Sequence, residues 1–263
     1  MKISCSPLGK YRDLSRYSAG GWNAYYAVHQ DAQSWMQEGL MDMLFPMMYF
    51  TGNNFFPFAL DWKEHSANST VVPGLGIYFL DPKEGRWTLD IVRREMSFLR
   101  SEGLGHCFFR SKFLTDNVKG VYDFTKDFNA YPALTPPMKA VAWQNPVAPG
   151  CLKVKRGAIA DELSWTAGRD RSDASYLLYN IYGSLRGSVD ASDASQLIVT
   201  RFTGNRLTVS HRPNVFLQYG VTAQDRYGRE SSLCKETAPK ASVRILTPTD
   251  TRIPPHYDFS NIR

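Results

Sequence analysis

Between Tyr131 and Pro137 the chain reads Tyr-Pro-Ala-Leu-Thr-Pro-Pro, and its apolar residues keep different periods on the two sides of this break. Proline fixes φ and lacks an N–H donor, so the segment sustains neither helix nor strand and reads as an extended linker. Before it, short apolar runs alternate with segments of helical period; after Gly150 the period falls to two. A chain patterned this way has two kinds of core to build, and 263 residues are enough for both.

In the first part, Ile3–Leu8 reads as a strand, followed by a helical segment over Val28–Gly39 that ends on its glycine. Met41–Phe50, rich in Met, Phe and Leu, suits a strand buried on both faces, and a short helix is predicted over Phe58–His65. Val71–Leu80 reads as the third strand. Asp90–Glu102 is the clearest helix, with Ile91, Val92, Glu95, Met96, Phe98 and Leu99 on one stripe and Gly103 at its end. Gly105–Leu114 and Val118–Phe128 complete the fourth strand and helix. Four such units predict a parallel sheet with right-handed crossovers.

Beyond Gly150, Leu163–Trp165, Tyr176–Tyr182, Gln196–Phe202, Arg206–Ser210 and Phe216–Asp225 are short alternating runs punctuated by turns. They predict a β-sandwich, so the fold class expected is α/β plus all-β. The expected divisions are 1–145, 150–240 and an irregular tail over 241–263, where Pro248, Pro254 and Pro255 fall.

Composition removes several functions. The 43% hydrophobic and 21% charged content describes a globular chain, and no run nears the roughly 18–20 apolar residues of a membrane span. Met1–Gly9 has too short an apolar run for a signal peptide and reads as a strand entering a loop. The net charge of +6 is +1 through residue 149 and +5 after it, with no basic run, so no nucleic-acid partner is expected. Four cysteines without CxxC spacing argue against a zinc ribbon. Cys5 and Cys107 lie in strand-like runs and are expected as buried thiols; Cys151 and Cys234, near the first and last sandwich strands, leave a disulfide open. His29, His65, His106, His211 and His256 show no ligand spacing, Ser6 lies outside any GxSxG elbow, and Gly74-Leu75-Gly76 opens no GxGxxG helix. No metal or cofactor is expected.

Ser6-Pro7-Leu8-Gly9-Lys10-Tyr11, Gln30–Trp35, Phe45-Pro46-Met47-Met48-Tyr49-Phe50, Gly74–Tyr78, Phe108-Phe109-Arg110 and Pro132–Met138 together carry a family resemblance. Over about residues 1–140 the chain resembles the glycosyl-hydrolase-like family 10 domain, a bacterial envelope group with a (β/α)8 TIM-type barrel. Residues 151–238 resemble the fibronectin-III-like module that often follows it, most tellingly at Tyr219–Ser231. The resemblance implies that the four βα units match units five to eight, a partial barrel, and that the family's acidic pair falls before the first of them. The implied activity is glycoside hydrolysis of a bacterial or host glycan, peptidoglycan strands included, with no catalytic residue assigned here. The alternative is a non-catalytic glycan-binding or assembly module. An exported, cell-envelope location is implied by the family alone.

Active sites of such barrels lie at the C-terminal ends of the strands. There stand Lys10, Tyr11, Tyr49, Tyr78 and Arg110. Tyrosine offers a sugar an apolar face and a hydroxyl, and Arg or Lys donates to its oxygens; equally, the tyrosines can cap a core and Arg110 pair with a carboxylate. The third strand ends Tyr78-Phe79-Leu80 before Asp81, without the glutamate nucleophile of many barrel glycosidases. Asp81 reads as a turn starter, Asp31 as a helix cap beside Glu38 on the same helix, and Trp62 and Trp87 as packing under loops or as glycan platforms. Trp165, Tyr179 and Tyr219 are expected in the sandwich core. Four parallel strands leave two free edges and an open apolar face, so either pairing with a second copy or poor solubility is expected.

Overall fold

The computed structural model describes residues 2–67, 69–137, 144–171, 176–185 and 187–236; the expected tail over 241–263 and His256 lie outside them. Packing gathers the chain into two compact units, the first built on Met1–Phe128 and the second on Asn129–Pro137 and the residues from Val141.

In the first unit β1 (Ser4–Cys5), β2 (Met43–Leu44) and β3 (Thr70–Val71) pair in parallel in that order, and β4 (Gly74–Leu75) pairs in parallel with β5 (Cys107–Phe108). Bridges Leu8↔Met47 and Met47↔Gly74 carry the array across, so β3 and β4 are two pieces of one extended segment. The register sets Pro7, Pro46 and Pro73 side by side. Each gives its carbonyl to the next strand, at 2.9 Å to Met47 N, 2.8 Å to Gly74 N and 3.1 Å to Cys107 N, and none has an N–H to give. Regular ladder is therefore interrupted in three of the four strand segments. The long strands expected over Met41–Phe50 and Val71–Leu80 are two-residue pieces instead, and Ile77–Leu80 turns into a 3-10 helix. Likewise the fourth strand is confined to Cys107–Phe108, because Ser111–Thr115 forms a helix.

The helices are α1 (Ala24–Val28), α2 (Ala32–Gln37), α3 (Phe56–Glu64), α4 (Leu89–Ser101), α5 (Ser111–Thr115) and α6 (Val121–Phe128). The helix expected over Val28–Gly39 is shortened to α2, and the separate α1 before it ends where His29 takes a left-handed conformation (φ 54°). Burial alternates strictly along β2 and its extension: Leu44, Pro46 and Met48 are buried, Phe45, Met47 and Tyr49 half-buried. One face of the array thus joins the core of Leu44, Met48, Phe58, Trp62, Leu75 and Met96, while the other stays open. The expectation of burial on both faces is corrected by this alternation.

The second unit holds two antiparallel sheets. β10 (Arg206–Ser210), β7 (Ala160–Thr166) and β6 (Gly150–Lys155) form one; β12 (Cys234–Lys235), β11 (Gln218–Gln224), β8 (Leu178–Ser184) and β9 (Leu197–Phe202) form the other. Leu163, Trp165 and Val209 from the first share a core with Tyr179, Ile181, Tyr219 and Val221 from the second, which makes the unit a β-sandwich. Asp161, buried in β7, takes hydrogen bonds from Arg156 Nη1 (2.9 Å) and the Tyr219 hydroxyl (3.1 Å), and Arg156 reaches Glu236 at 2.7 Å. All four cysteines are free; Cys5 and Cys107 are half-buried rather than buried, and Cys151 is exposed.

Candidate functional site

The open face of the parallel array holds a cavity of about 400 Å³, lined among others by Ser6, Phe45, Tyr49, Gly74, Cys107 and Phe109. Period-two alternation puts these residues there, since their odd-face neighbours are taken up by the helix-packed core. A Cβ on Gly74 would press on Pro46 O at 3.3 Å and touch Tyr49 and the Cys107 sulfur at ordinary contact distances of 3.5 and 3.6 Å. Among the described residues no Asp or Glu lines the cavity.

At its rim, on the C-terminal side of the strands, three rings meet. Tyr49 and Phe109 stack with centroids 5.3 Å apart and planes 12° from parallel, and Tyr78 stands edge-on to both at 5.8 and 5.7 Å. The Arg110 guanidinium lies over Tyr78 at 5.2 Å and over Phe109 at 5.6 Å, with Glu84 3.8 Å from its Nη1. That ion pair is exposed and adds little stability; it leaves most of the guanidinium's five donors unused among the described residues. Phe109 remains 43% exposed. Burial raises the hydroxyl pKa of Tyr49, and burial with nearby Glu84 raises that of Tyr78, so both stay protonated hydrogen-bond donors at neutral pH. Burial also lifts the Cys107 thiol, which is consequently a poor nucleophile.

Of the five residues expected here, Tyr49, Tyr78 and Arg110 come together, and Lys10 and Tyr11 are drawn beneath the surface. Lys10 Nζ donates to Ala19 O at 2.9 Å and to Asn54 Oδ1 at 2.7 Å and sits over the Phe50 ring at 4.6 Å. Tyr11 donates its hydroxyl to Asp31 and packs edge-on to Tyr25 and Trp62. That bond holds the Asp31 carboxyl below its usual range; Asp31 occupies the N-cap of α2 but makes no side-chain cap. Asp81 is the turn starter expected, accepting from Lys83 N at 2.8 Å. Trp62 is fully buried with its indole N–H on Gly9 O at 2.7 Å, and Trp87 packs on Phe79 at 4.8 Å. Sequence reasoning passed over Phe109, Phe45 and Cys107 as site residues; counting back by twos from the strand end would have placed Cys107 and Phe109 on one face.

The arrangement offers flat apolar faces, phenol hydroxyls and a guanidinium, and among the described residues no paired carboxyl groups in the cavity wall. Among the described residues no cluster of His, Cys, Asp and Glu could hold a metal, and no helix is long and apolar enough to cross a membrane.

No protein-family model matches this chain. It is 24% identical over 262 residues to glycosyl hydrolase YngK of Bacillus subtilis (strain 168), an alignment covering 90% of this chain and 50% of that protein. Among solved structures, several titin domains (17% identity, 35% of this chain and 30% of that one, TM-score 0.29) and a human FNIII domain (16%, 42% and 89%, TM-score 0.24) are similar to parts of it. The chain therefore spans half the length of a distant relative named a glycosyl hydrolase, and that is the relationship shown.

Proposed function

We propose that this chain is the glycan-binding portion of a glycosyl-hydrolase-like protein of the family 10 type, its first unit being four βα units of a (β/α)8 barrel. The observation that carries the reading is the Tyr49–Tyr78–Phe109 group with Arg110 at the C-terminal ends of parallel strands, the end at which such arrays bind ligands. A sugar ring presents C–H groups to the aromatic faces and hydroxyls to the guanidinium and phenols. Hydrolysis needs two carboxyl groups flanking the bond, so in this reading the acid pair belongs to the other four units and this chain binds without cleaving. A bacterial envelope glycan such as peptidoglycan is the substrate class, and an exported location goes with it.

The test is calorimetric titration with β-1,4-linked N-acetylglucosamine oligomers of two to six sugars and with a soluble peptidoglycan digest. Saturable binding is expected, with Phe109→Ala weakening it about tenfold and no reducing ends released. Wild-type affinity in that variant, or no binding at all, would contradict the reading. As the alternative to those other four units, the edges at β1 and β5, unpaired among the described residues, support closure of an eight-stranded barrel by a second copy, β5 of each pairing with β1 of the other.

A further inference from the structure

The four-stranded sheet of the sandwich is buried on both faces, and only one of them is the shared core. Tyr179 and Ile181 of β8 lie in that core, so alternation turns Asn180 and Tyr182 to the outer face. There Tyr182 is 1% exposed and packs with Val189 and Leu197 in a separate apolar cluster, against which Leu134, Ala191 and Leu233 are seated. Gly220 of β11 lies beneath Val189 and Leu233. A Cβ on it would meet Leu233 Cδ1 at 2.7 Å and Val189 Cγ1 at 3.2 Å, so the absent side chain lets both settle onto the strand. Leu134 comes from the proline-rich stretch ahead of β6, and that stretch, Asn129–Pro137, packs with the second unit.

A braced turn flanks the cluster. Glu230 Oε1 accepts from Asn180 Nδ2 at 2.9 Å, from the Tyr182 hydroxyl at 2.7 Å and from the Thr222 hydroxyl, which ties the turn to β8 and β11. Asp225 Oδ1 accepts from Tyr227 N and Arg229 N, both at 2.9 Å. Gly228 between them has φ 82°, and a Cβ on it would lie 3.1 Å from Pro136 O and Pro137 Cα and 3.3 Å from Thr135 O. The stretch is therefore held by its leucine side chain in the cluster and by its backbone against Gly228. Burial alternates along it, with Pro132 and Leu134 half-buried and Tyr131, Ala133 and Thr135 exposed, as in an extended segment lying with one side down. Among the described residues no backbone hydrogen bond ties Ala133, Leu134 or Thr135 to the sheet.

Seating this segment costs little entropy. Pro132, Pro136 and Pro137 have fixed φ, and a residue before a proline is confined to extended conformations, which covers Tyr131, Thr135 and Pro136. Ala133 and Leu134 alone keep ordinary freedom to lose, so one inserted leucine is enough to hold the segment. We infer that Pro132–Pro137 is a strap and that the outer face of β8 and β11 is its seat, a groove that takes an extended segment with one apolar side chain ahead of two prolines. The strap leaves and re-enters this groove while the rest of the sandwich stays folded, because packing rather than strand pairing holds it. Once released, it uncovers Tyr182, Val189 and Leu197, and a separate peptide of the same kind fills the place.

The test is made on the full chain by nuclear magnetic resonance, with Leu134→Asp and Leu134→Met beside the wild type and a synthetic peptide of residues 131–137 as the probe. Order parameters of the Ala133, Leu134 and Thr135 amides are expected near about 0.85 in the wild type and in Leu134→Met, and below about 0.6 in Leu134→Asp. Cross-peaks from the Leu134 methyls to those of Val189 and Leu233 are expected in the wild type. In Leu134→Asp the methyl signals of Val189, Leu197 and Leu233 should shift, and excess peptide should return them toward their wild-type positions, whereas a peptide with Asp in place of its leucine should not. Wild-type order parameters below about 0.6 at these amides, without the cross-peaks, would overturn the strap whether or not the variant folds. A folded Leu134→Asp whose methyl signals the peptide leaves unmoved would overturn the seat.

Discussion

Glu95 sits on the core face of α4, 1% exposed, with neither carboxyl oxygen hydrogen-bonded among the described residues. Burial pushes its pKa up to about 9 from an ordinary 4.5. The folded state thus binds a proton that the unfolded chain gives up, and stability falls as pH rises from about 4.5 through about 9. Chemical denaturation of the first unit at pH 5 and pH 8 is expected to show this decline. Glu95→Gln should flatten it, and Glu95→Met should stabilise the unit at pH 8 by about 2–3 kcal/mol. Equal stability at both pH values in the wild type would contradict the burial argument. Helical period alone places Glu95 among the buried positions of its stripe, but its ionisation state depends on what packs around it. The same division holds at the site: Tyr49, Tyr78 and Arg110 are readable as strand-end residues, whereas the burial of Lys10 depends on a loop that folds back over it, through Ala19, and on Asn54, 44 positions away.

The strands of the first unit are legible as apolar runs, but their breaks are not obvious until the register aligns Pro7, Pro46 and Pro73. Prolines 39 and 27 residues apart mean little in one dimension; side by side they remove three donors from one layer of the array. Close approach in the next layers is equally hidden. A Cβ on Gly9 would lie 2.2 Å from Met47 O, a backbone atom that cannot move aside. Gly9→Ala is therefore expected to cost more than about 2 kcal/mol by thermal or denaturant unfolding, and wild-type stability would show that β1 and β2 can slide apart. In the sandwich, alternation is clean along β7 and β10, whereas β8 and β11 are buried on both faces, and the strand over Arg206–Ser210 is found where the pattern puts it. Cys151 and Cys234 stand on β6 and β12, near enough in sequence logic to suggest a bridge, yet both are free. Thiol labelling without denaturant is expected to modify exposed Cys151 first, and reduction should leave the intact mass unchanged.

At the scale of the whole molecule, the first unit has four parallel strand segments with helices packed on one side and a cavity on the other. Parallel sheets are usually covered on both faces, so closure by a second set of four units is the physical expectation behind the proposed dimer. Sedimentation equilibrium at micromolar concentration should find a dimer that Phe108→Asp, on an edge strand, dissociates; a wild-type monomer that binds no hydrophobic dye would rule this closure out. The linker and the change of period announce two bodies in the sequence. What the sequence cannot announce is an array open on one side, because the residues lining that side are as apolar as those that are buried.

The central claim is that the rim formed by Tyr49, Tyr78, Phe109 and Arg110 receives a sugar chain. Its most direct test is a nuclear magnetic resonance titration of the labelled protein with N-acetylglucosamine hexamer. Dose-dependent shifts centred on these four residues are predicted, with the sandwich strands β7 and β11 unmoved; shifts confined to the sandwich, or none anywhere, would contradict it.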